Sequence, residues 1–179
     1  MSWARIWVPA AAVAMLLAGC EEKIKPSVLP SVDSRTLPQQ ESWNSRIVIS
    51  DSGRTRAVID AGYIRVYESS KQTEMSQGVV VHFFDPDGHQ TSVLTSDEGT
   101  VDEGTNNLAA YKHVLVVSEN ARRLSTEKLY WDNAKQLIHT PEFVRIVSPK
   151  EKVQGHGLES DQSLRNYRIF RATGESQEQ

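Results

Sequence analysis

The chain has a single cysteine, Cys20, so it can form no internal disulfide and no cysteine-rich zinc site. Positive charge is not in excess. Lysine and arginine total 20 against 23 aspartates and glutamates, a net charge of -3, which argues against a nucleic-acid partner that needs a basic face. Long apolar runs are missing too. Val8 to Ala18 carries no charge but falls short of the roughly 20 residues that cross a bilayer as a helix. After Trp43 no window of about 12 residues has an apolar stripe of helical period. Catalytic signatures are also lacking: there is no Gly-x-Ser-x-Gly elbow, no His-Glu-x-x-His and no phosphate-cradling glycine loop. The five histidines (His82, His89, His113, His139, His156) stand singly, without metal-ligand spacing. Asp85-Pro86-Asp87-Gly88 begins like a calcium loop, but Val93 and Ser96 stand where later ligands belong, so it reads as a turn. The expectation is a protein that is not an enzyme, with no cofactor and no metal.

What is present begins at the N-terminus. One cation (Arg5), an apolar run and small residues at its end describe a secretory signal over residues 1–19. Leu17-Ala18-Gly19-Cys20 looks like a bacterial lipobox, which makes Cys20 the lipid anchor. Several acyl chains hold stably where one binds marginally, at about 0.8 kcal/mol per buried CH₂. Residues 20–42 contain Pro26, Pro30 and Pro38 and no sustained period, so they read as a flexible tether of about 25 Å mean span. A domain is expected over 43–171, and a disordered tail over 172–179.

Within the domain, short β-rich runs alternate with turn residues: Arg46 to Ile49, Ala57 to Ile59, Tyr63 to Tyr67, Val79 to Phe84, Thr91 to Leu94, Tyr111 to Val117, Lys128 to Trp131, Glu142 to Val147 and Tyr167 to Phe170. The fold class expected is all-β.

A repeat runs through these strands. Leu94-Thr95-Ser96-Asp97 is answered by Leu124-Ser125-Thr126-Glu127, and at the same offset Val101, Leu108, Val114 and Val116 meet Trp131, Ile138, Val144 and Ile146. A third copy is expected from Leu158-Glu159-Ser160-Asp161, and an earlier one over 57–68 with Ile64 and Val66 in the places of Val114 and Val116. Each unit is a strand pair joined by a polar turn, such as Asp102 to Asn107 or Asp132 to Gln136. Asp97, Asp132 and Asp161 recur in phase, which suggests a structural role at turns.

Stacked strand pairs bury a face only against their neighbours, which favours a continuous twisted sheet, a jelly roll or an open barrel. Alternation puts Ile64, Val66, Val81, Phe83, Val114, Val116, Val144 and Ile146 on one side, and Tyr63, Arg65, His82, His113 and Arg145 on the other. A filled sandwich core and an open groove fit that seam alike. A lipoprotein that binds carbohydrate or peptide at its loops would instead need exposed aromatics near Tyr130 and Trp131.

Several segments together resemble the LptC family: WNSRIVISDSGRTRAVIDAGY (43–63), LTSDEGTVDE (94–103), LSTEKLYWD (124–132), IHTPEFV (138–144) and GHGLESDQSLRNY (155–167). The resemblance covers about Trp43 to Arg171, within a wider group that includes LptA-like and OstA-like domains. It implies an open, V-shaped β-jelly roll whose apolar interior takes the lipid A acyl chains of lipopolysaccharide. It implies as partners an inner-membrane ABC transporter, its permeases and ATPase, and a periplasmic LptA-like bridge protein. The site is then the seam above, with the hand-over edge expected at Leu164, Tyr167, Ile169 and Phe170. The expected location is the periplasmic face of the inner membrane, held by Cys20, with the outer membrane as the lesser option. The alternative is a structural lipoprotein adaptor that pairs strands with partners and carries no lipid. Familiar LptC proteins are held by an N-terminal transmembrane helix, which a lipobox replaces here.

Overall fold

The computed structural model describes residues 37–173. The expected signal peptide, Cys20, most of the tether and the tail from residue 174 lie outside the described residues.

The described chain is all strand and turn. Ten strands form one antiparallel sheet: β1 Gln40–Asp51, β2 Arg54–Tyr67, β3 Gln72–Phe84, β4 Gln90–Ser96, β5 Glu98–Asp102, β6 Leu108–Ser118, β7 Arg123–Asp132, β8 Leu137–Val147, β9 Lys152–Asp161 and β10 Tyr167–Ala172. Their order is β1-β2-β3-β4-β6-β7-β8-β9-β10, with β5 also bridging β3 and β6. β4 and β5 behave as one strand broken at Asp97. β4 continues the pairing of one half of β3 and β6, and β5 that of the other half.

The strands are longer than the apolar runs that mark them, because each crosses a break in register. Gly62 of β2 faces Gln77 and Gly78 of β3, between the pairs Ala61↔Val79 and Tyr63↔Ser76. Asp97 receives the Gly78 N–H on its carbonyl and donates its own N–H to the Lys112 carbonyl. Lys112 and His113 sit in the bulge of β6 between Tyr111 and Val114. Pro141 and Glu142 bulge from β8 between Thr140 and Phe143, opposite Gly157 of β9. Gln77, Gly78, Lys112, His113 and Gly157 all have left-handed φ, and so does Asn44, opposite Gly62 in β1. Each bulge bends its strand and raises its twist. Aligned across the sheet, they make a fold line.

The sheet therefore closes on itself as two facing walls. On the first wall Ile47, Ile59, Val81, Leu94, Val116, Leu124, Ile146 and Val153 stand in one row across the strands. On the second, Val66, Thr73, Val101, Leu108, Trp131, Ile138, Ser160 and Tyr167 form another. The walls meet inside: the Phe83 ring of the first lies 5.2 Å from the Trp131 ring of the second. Buried hydroxyls serve the broken ladder at the fold line. Ser96 Oγ donates to the Glu98 carbonyl (3.0 Å), Thr126 Oγ1 to that of Phe143 (2.9 Å), and Thr140 Oγ1 accepts the Glu142 N–H (3.1 Å). Without them these backbone groups would be buried unpaired.

The repeat holds between 94–116 and 124–146. Leu94, Val101, Leu108, Val114 and Val116, and their counterparts Leu124, Trp131, Ile138, Val144 and Ile146, are all buried. The two outer copies are out of phase. Val153, not Leu158, continues the row of Leu124, and Leu158 lies past the fold line opposite Thr140. Ile64 and Val66 belong to the second wall, whereas Val114 and Val116 stand on the first. β2 and β6 run in opposite directions, so equal offsets from a strand start reach opposite walls.

Aspartates initiate the turns at the rims. The Asp102 carboxylate accepts the Thr105 N–H at 2.8 Å, and Asp132 that of Lys135 at 3.0 Å. Asp161 accepts the N–H of Arg165 (3.0 Å) and Asn166 (3.1 Å) and the side chains of Ser163 and Asn166. Asp97 plays no such part: it lies at the fold line, paired with His113. Burial pushes the Asp161 carboxyl up, but the donors from Ser163, Asn166 and Arg165 outweigh it and hold it below the usual carboxylate range. Asp102 and Asp132 are lowered by the side chains of Thr105 and Lys135 and by turn N–H groups.

A Cβ on Gly62 would lie 2.5 Å from the Gln77 carbonyl oxygen and 2.9 Å from its Cβ. Gly62→Ala should therefore cost about 2 kcal/mol, read from the urea midpoint. Carboxyls depressed in the folded state stabilise it above their unfolded pKa of about 3.9, and that contribution is lost as pH falls through the folded values. The carboxylate contribution to the urea midpoint should thus be flat from about pH 7 to 5 and be lost below about pH 4. Asp161→Ala should cost about 2 kcal/mol at neutral pH and less in acid, where the wild-type carboxyl takes up its proton.

Candidate functional site

Every residue of the expected seam faces the interior, but from two walls. Val81, Phe83, Val114, Val116, Val144 and Ile146 lie on the first wall at 0 to 1% exposure, packed into one apolar cluster. Ile64 and Val66 lie on the second, Val66 only half-buried. Tyr63, Arg65, His82, His113 and Arg145 stand on the outer face. There Tyr63 carries Trp43 at 5.3 Å and Arg65 over its ring, and Tyr130 stacks on His139 at 5.2 Å. Trp131 is inside and 1% exposed, so it takes no part in an exposed aromatic surface.

The interior opens at the β1 end. A cleft of about 420 Å³ lies between β1 and the second wall, floored by Ile47, Ile49, Ile64, Val66 and Val101 and edged by Arg46, Thr73, Glu103 and Asn106. That is within the range of pockets that hold small ligands. Glu103 accepts the Thr73 hydroxyl at 2.8 Å, which satisfies a buried polar group at the edge. A larger depression of about 590 Å³ lies by the β9–β10 turn, but Glu159, Asp161, Arg165 and Arg168 line it and its chemistry is that of a wet surface. Ile47 and Val101 had a sequence signal, the alternation of RIVI and the repeat. Neither period said that the walls part here.

At the C-terminal end the rims touch instead. Arg122, in the β6–β7 turn, donates to the carbonyl of Leu164 at 2.6 Å, and its guanidinium lies 5.8 Å from the Tyr167 ring centre. Arg165 pairs with Glu119, and the Tyr167 hydroxyl donates to Glu151 at 2.9 Å. Burial, then the Glu151 carboxylate, raises the Tyr167 hydroxyl pKa. Nothing in the sequence marked Glu119, Arg122 or Glu151, because their meeting depends on the fold line.

The expected edge residues are placed unequally. Among the described residues β10 pairs only with β9, and β1 only with β2, so each presents an edge that no described strand covers. Tyr167 and Ile169 point inward, half-buried, and Phe170 is 55% exposed. Leu164 lies outside the strand, fully buried in the turn before it.

Polar chemistry in the described residues is sparse. Asp85, Asp87 and His89 approach one another in the β3–β4 turn, where the Asp85 carboxylate already accepts the N–H groups of Asp87 and His89 at 2.9 Å. This is a self-satisfied turn. Inside, Ser92 Oγ, Ser118 Oγ and Trp131 Nε1 are buried without a hydrogen-bond partner.

Comparison with curated proteins finds no match. The family model for lipopolysaccharide-assembly, LptC-related proteins matches residues 10–173, nearly the whole chain. That family serves lipopolysaccharide transport in the periplasm at the inner membrane, together with the rest of the Lpt machinery, and is a transport component, not a known enzyme family. With its folded all-β sheet and apolar interior, this chain belongs to the LptC family.

Proposed function

We propose that this protein is the lipid-anchored periplasmic subunit that takes lipopolysaccharide from an inner-membrane ABC transporter and passes it to an LptA-like bridge protein. Acyl chains lie between the two walls, entering at the β1 end. The cleft lined by Ile47, Ile49, Ile64, Val66 and Val101 carries this reading, since half-buried Ile47 and Val66 lead from it to the buried Ile49, Ile64 and Val101 of the interior. The buried, unpaired Ser92, Ser118 and Trp131 groups support it as well. A permanently sealed core would pair them, whereas walls that part would expose them to water or to a lipid's polar groups. Free edges on β1 and β10 suit strand addition by neighbours at either end. Cys20 anchors the chain, and the tether holds the domain off the membrane.

A second reading is favoured by one observation. The first wall is packed to near-zero exposure at Val81, Phe83 and Val144, as in a filled core. An adaptor that only pairs strands would have such an interior. The two readings separate in one experiment: the full chain carries a photo-crosslinking side chain at Val66, at Val116 or at outward Arg65 and is irradiated with lipopolysaccharide. Lipid transfer gives adducts at Val66 and Val116 and none at Arg65. No adduct at either interior position, in protein with an unchanged urea midpoint, supports the adaptor. The anchor has its own test. Cys20→Ser should release the protein from the membrane fraction, and full retention would refute the lipid anchor.

A further inference from the structure

The contacts that join the rims at the C-terminal end come from separate parts of the sheet. Glu119 and Arg122 belong to the β6–β7 turn and Glu151 to the β8–β9 turn, all on the rim of the first wall. Leu164, Arg165 and Tyr167 belong to the β9–β10 turn and β10, on the rim of the second. Arg122 is the hub. Its guanidinium donates to the carbonyls of Leu164 (2.6 Å) and Arg165 (3.3 Å), lies 3.8 Å from Glu151 and covers the Tyr167 ring. Under it Leu164 is fully buried with φ of 55°, a left-handed conformation that L side chains rarely adopt. Such strain persists only where the surroundings hold it.

We infer that this clasp is a gate: Leu164 plugs the C-terminal mouth of the groove, and the Arg122-centred contacts hold the plug in place until the walls part for lipid. The inference rests on the lipid-transfer reading above and adds where the closed interior opens. Its physical basis is a balance of weak and strained terms. The Arg122 and Glu151 side chains are 28% and 42% exposed, and ion pairs of that exposure contribute little each. The contacts are reversible for that reason, and release of Leu164 from its strained backbone favours opening. Burial of acyl methylenes between the walls offsets the few weak contacts of the clasp. The gate also stands on β10, one of the two end strands of the sheet, so a strand added there by a partner acts on the element that carries Tyr167.

The test uses the full chain with the photo-crosslinker at Ile169, inside the gated end, or at Val66, in the open cleft, and lipopolysaccharide as the probe. Arg122→Ala should raise the adduct at Ile169 about fivefold, the change expected when an opening equilibrium loses roughly one hydrogen bond of restraint. The Val66 adduct should stay unchanged. Tyr167→Phe, which deletes only the bond to Glu151, should act in the same direction and less. Arg145→Ala, at an exposed side chain on the outer face, is the control and should do nothing. Unchanged or lower Ile169 adducts in both clasp variants, with Val66 still labelled, overturn the gate and leave lipid transfer standing. An Arg122→Ala variant that unfolds makes the clasp a structural staple and likewise overturns the gate. Absence of any adduct at Val66 in the wild type is instead a failure of the lipid-transfer reading.

Discussion

The structure depends on one constraint: nearly every strand breaks its register at the same height. Gly62, Gln77-Gly78, Asp97, Lys112-His113, Pro141-Glu142 and Gly157 each disturb the ladder where the neighbouring strand is disturbed too. An isolated bulge would only bend one strand. In line, the bulges turn a flat sheet, whose apolar face would be bare to water, into two walls that cover each other. The apolar seam, the Phe83–Trp131 contact, the open cleft and the clasped mouth all follow from where that line runs. Ser96, Thr126 and Thr140 are the small hydroxyl residues that make it tolerable, since they fit inside a bend and bond the backbone groups that it frees.

Much of this was legible in the sequence, for reasons that also explain what was not. Period-two alternation is local, so the inward side of Val79 to Phe84 or Val114 to Val117 could be read directly. The repeat linked Val101 to Trp131 and Leu108 to Ile138 because those strands cross the fold line alike. It failed at Ile64 because β2 runs opposite to β6, and at Leu158 because the β9 copy is out of phase, with Val153 in the place of Leu124. β9 carried too little signal, with Gly155, His156 and Gly157 in place of an apolar run. Gly155 is required by close packing: a Cβ there would meet Ile169 Cγ2 at 2.7 Å. The clasp was illegible, because Arg122 and Leu164 meet only once the sheet has folded.

The interior combines two properties that pull apart. It is dense enough at Val81, Phe83 and Val144 to stabilise the domain, at roughly 1.5–3 kcal/mol for each large side chain. It also carries unpaired polar groups and an open end, which a core made only for stability would lack. Walls related by a line of bulges reconcile the two, since rotation about that line separates them without breaking the ladders on either side. On the lipid-transfer reading proposed above, closure would protect the empty protein and opening would accommodate cargo.

The most direct test of that account is the distance between the two ends of one folded strand. Spin labels at Asn120 and Ala134 stand in the turns before and after β7, one on each rim. Their separation, measured by pulsed electron spin resonance with and without lipopolysaccharide, reads the angle between the walls. A distribution that shifts to longer distances when lipid is bound is the predicted result. An unchanged distance with lipid bound would contradict an interior that opens about the fold line.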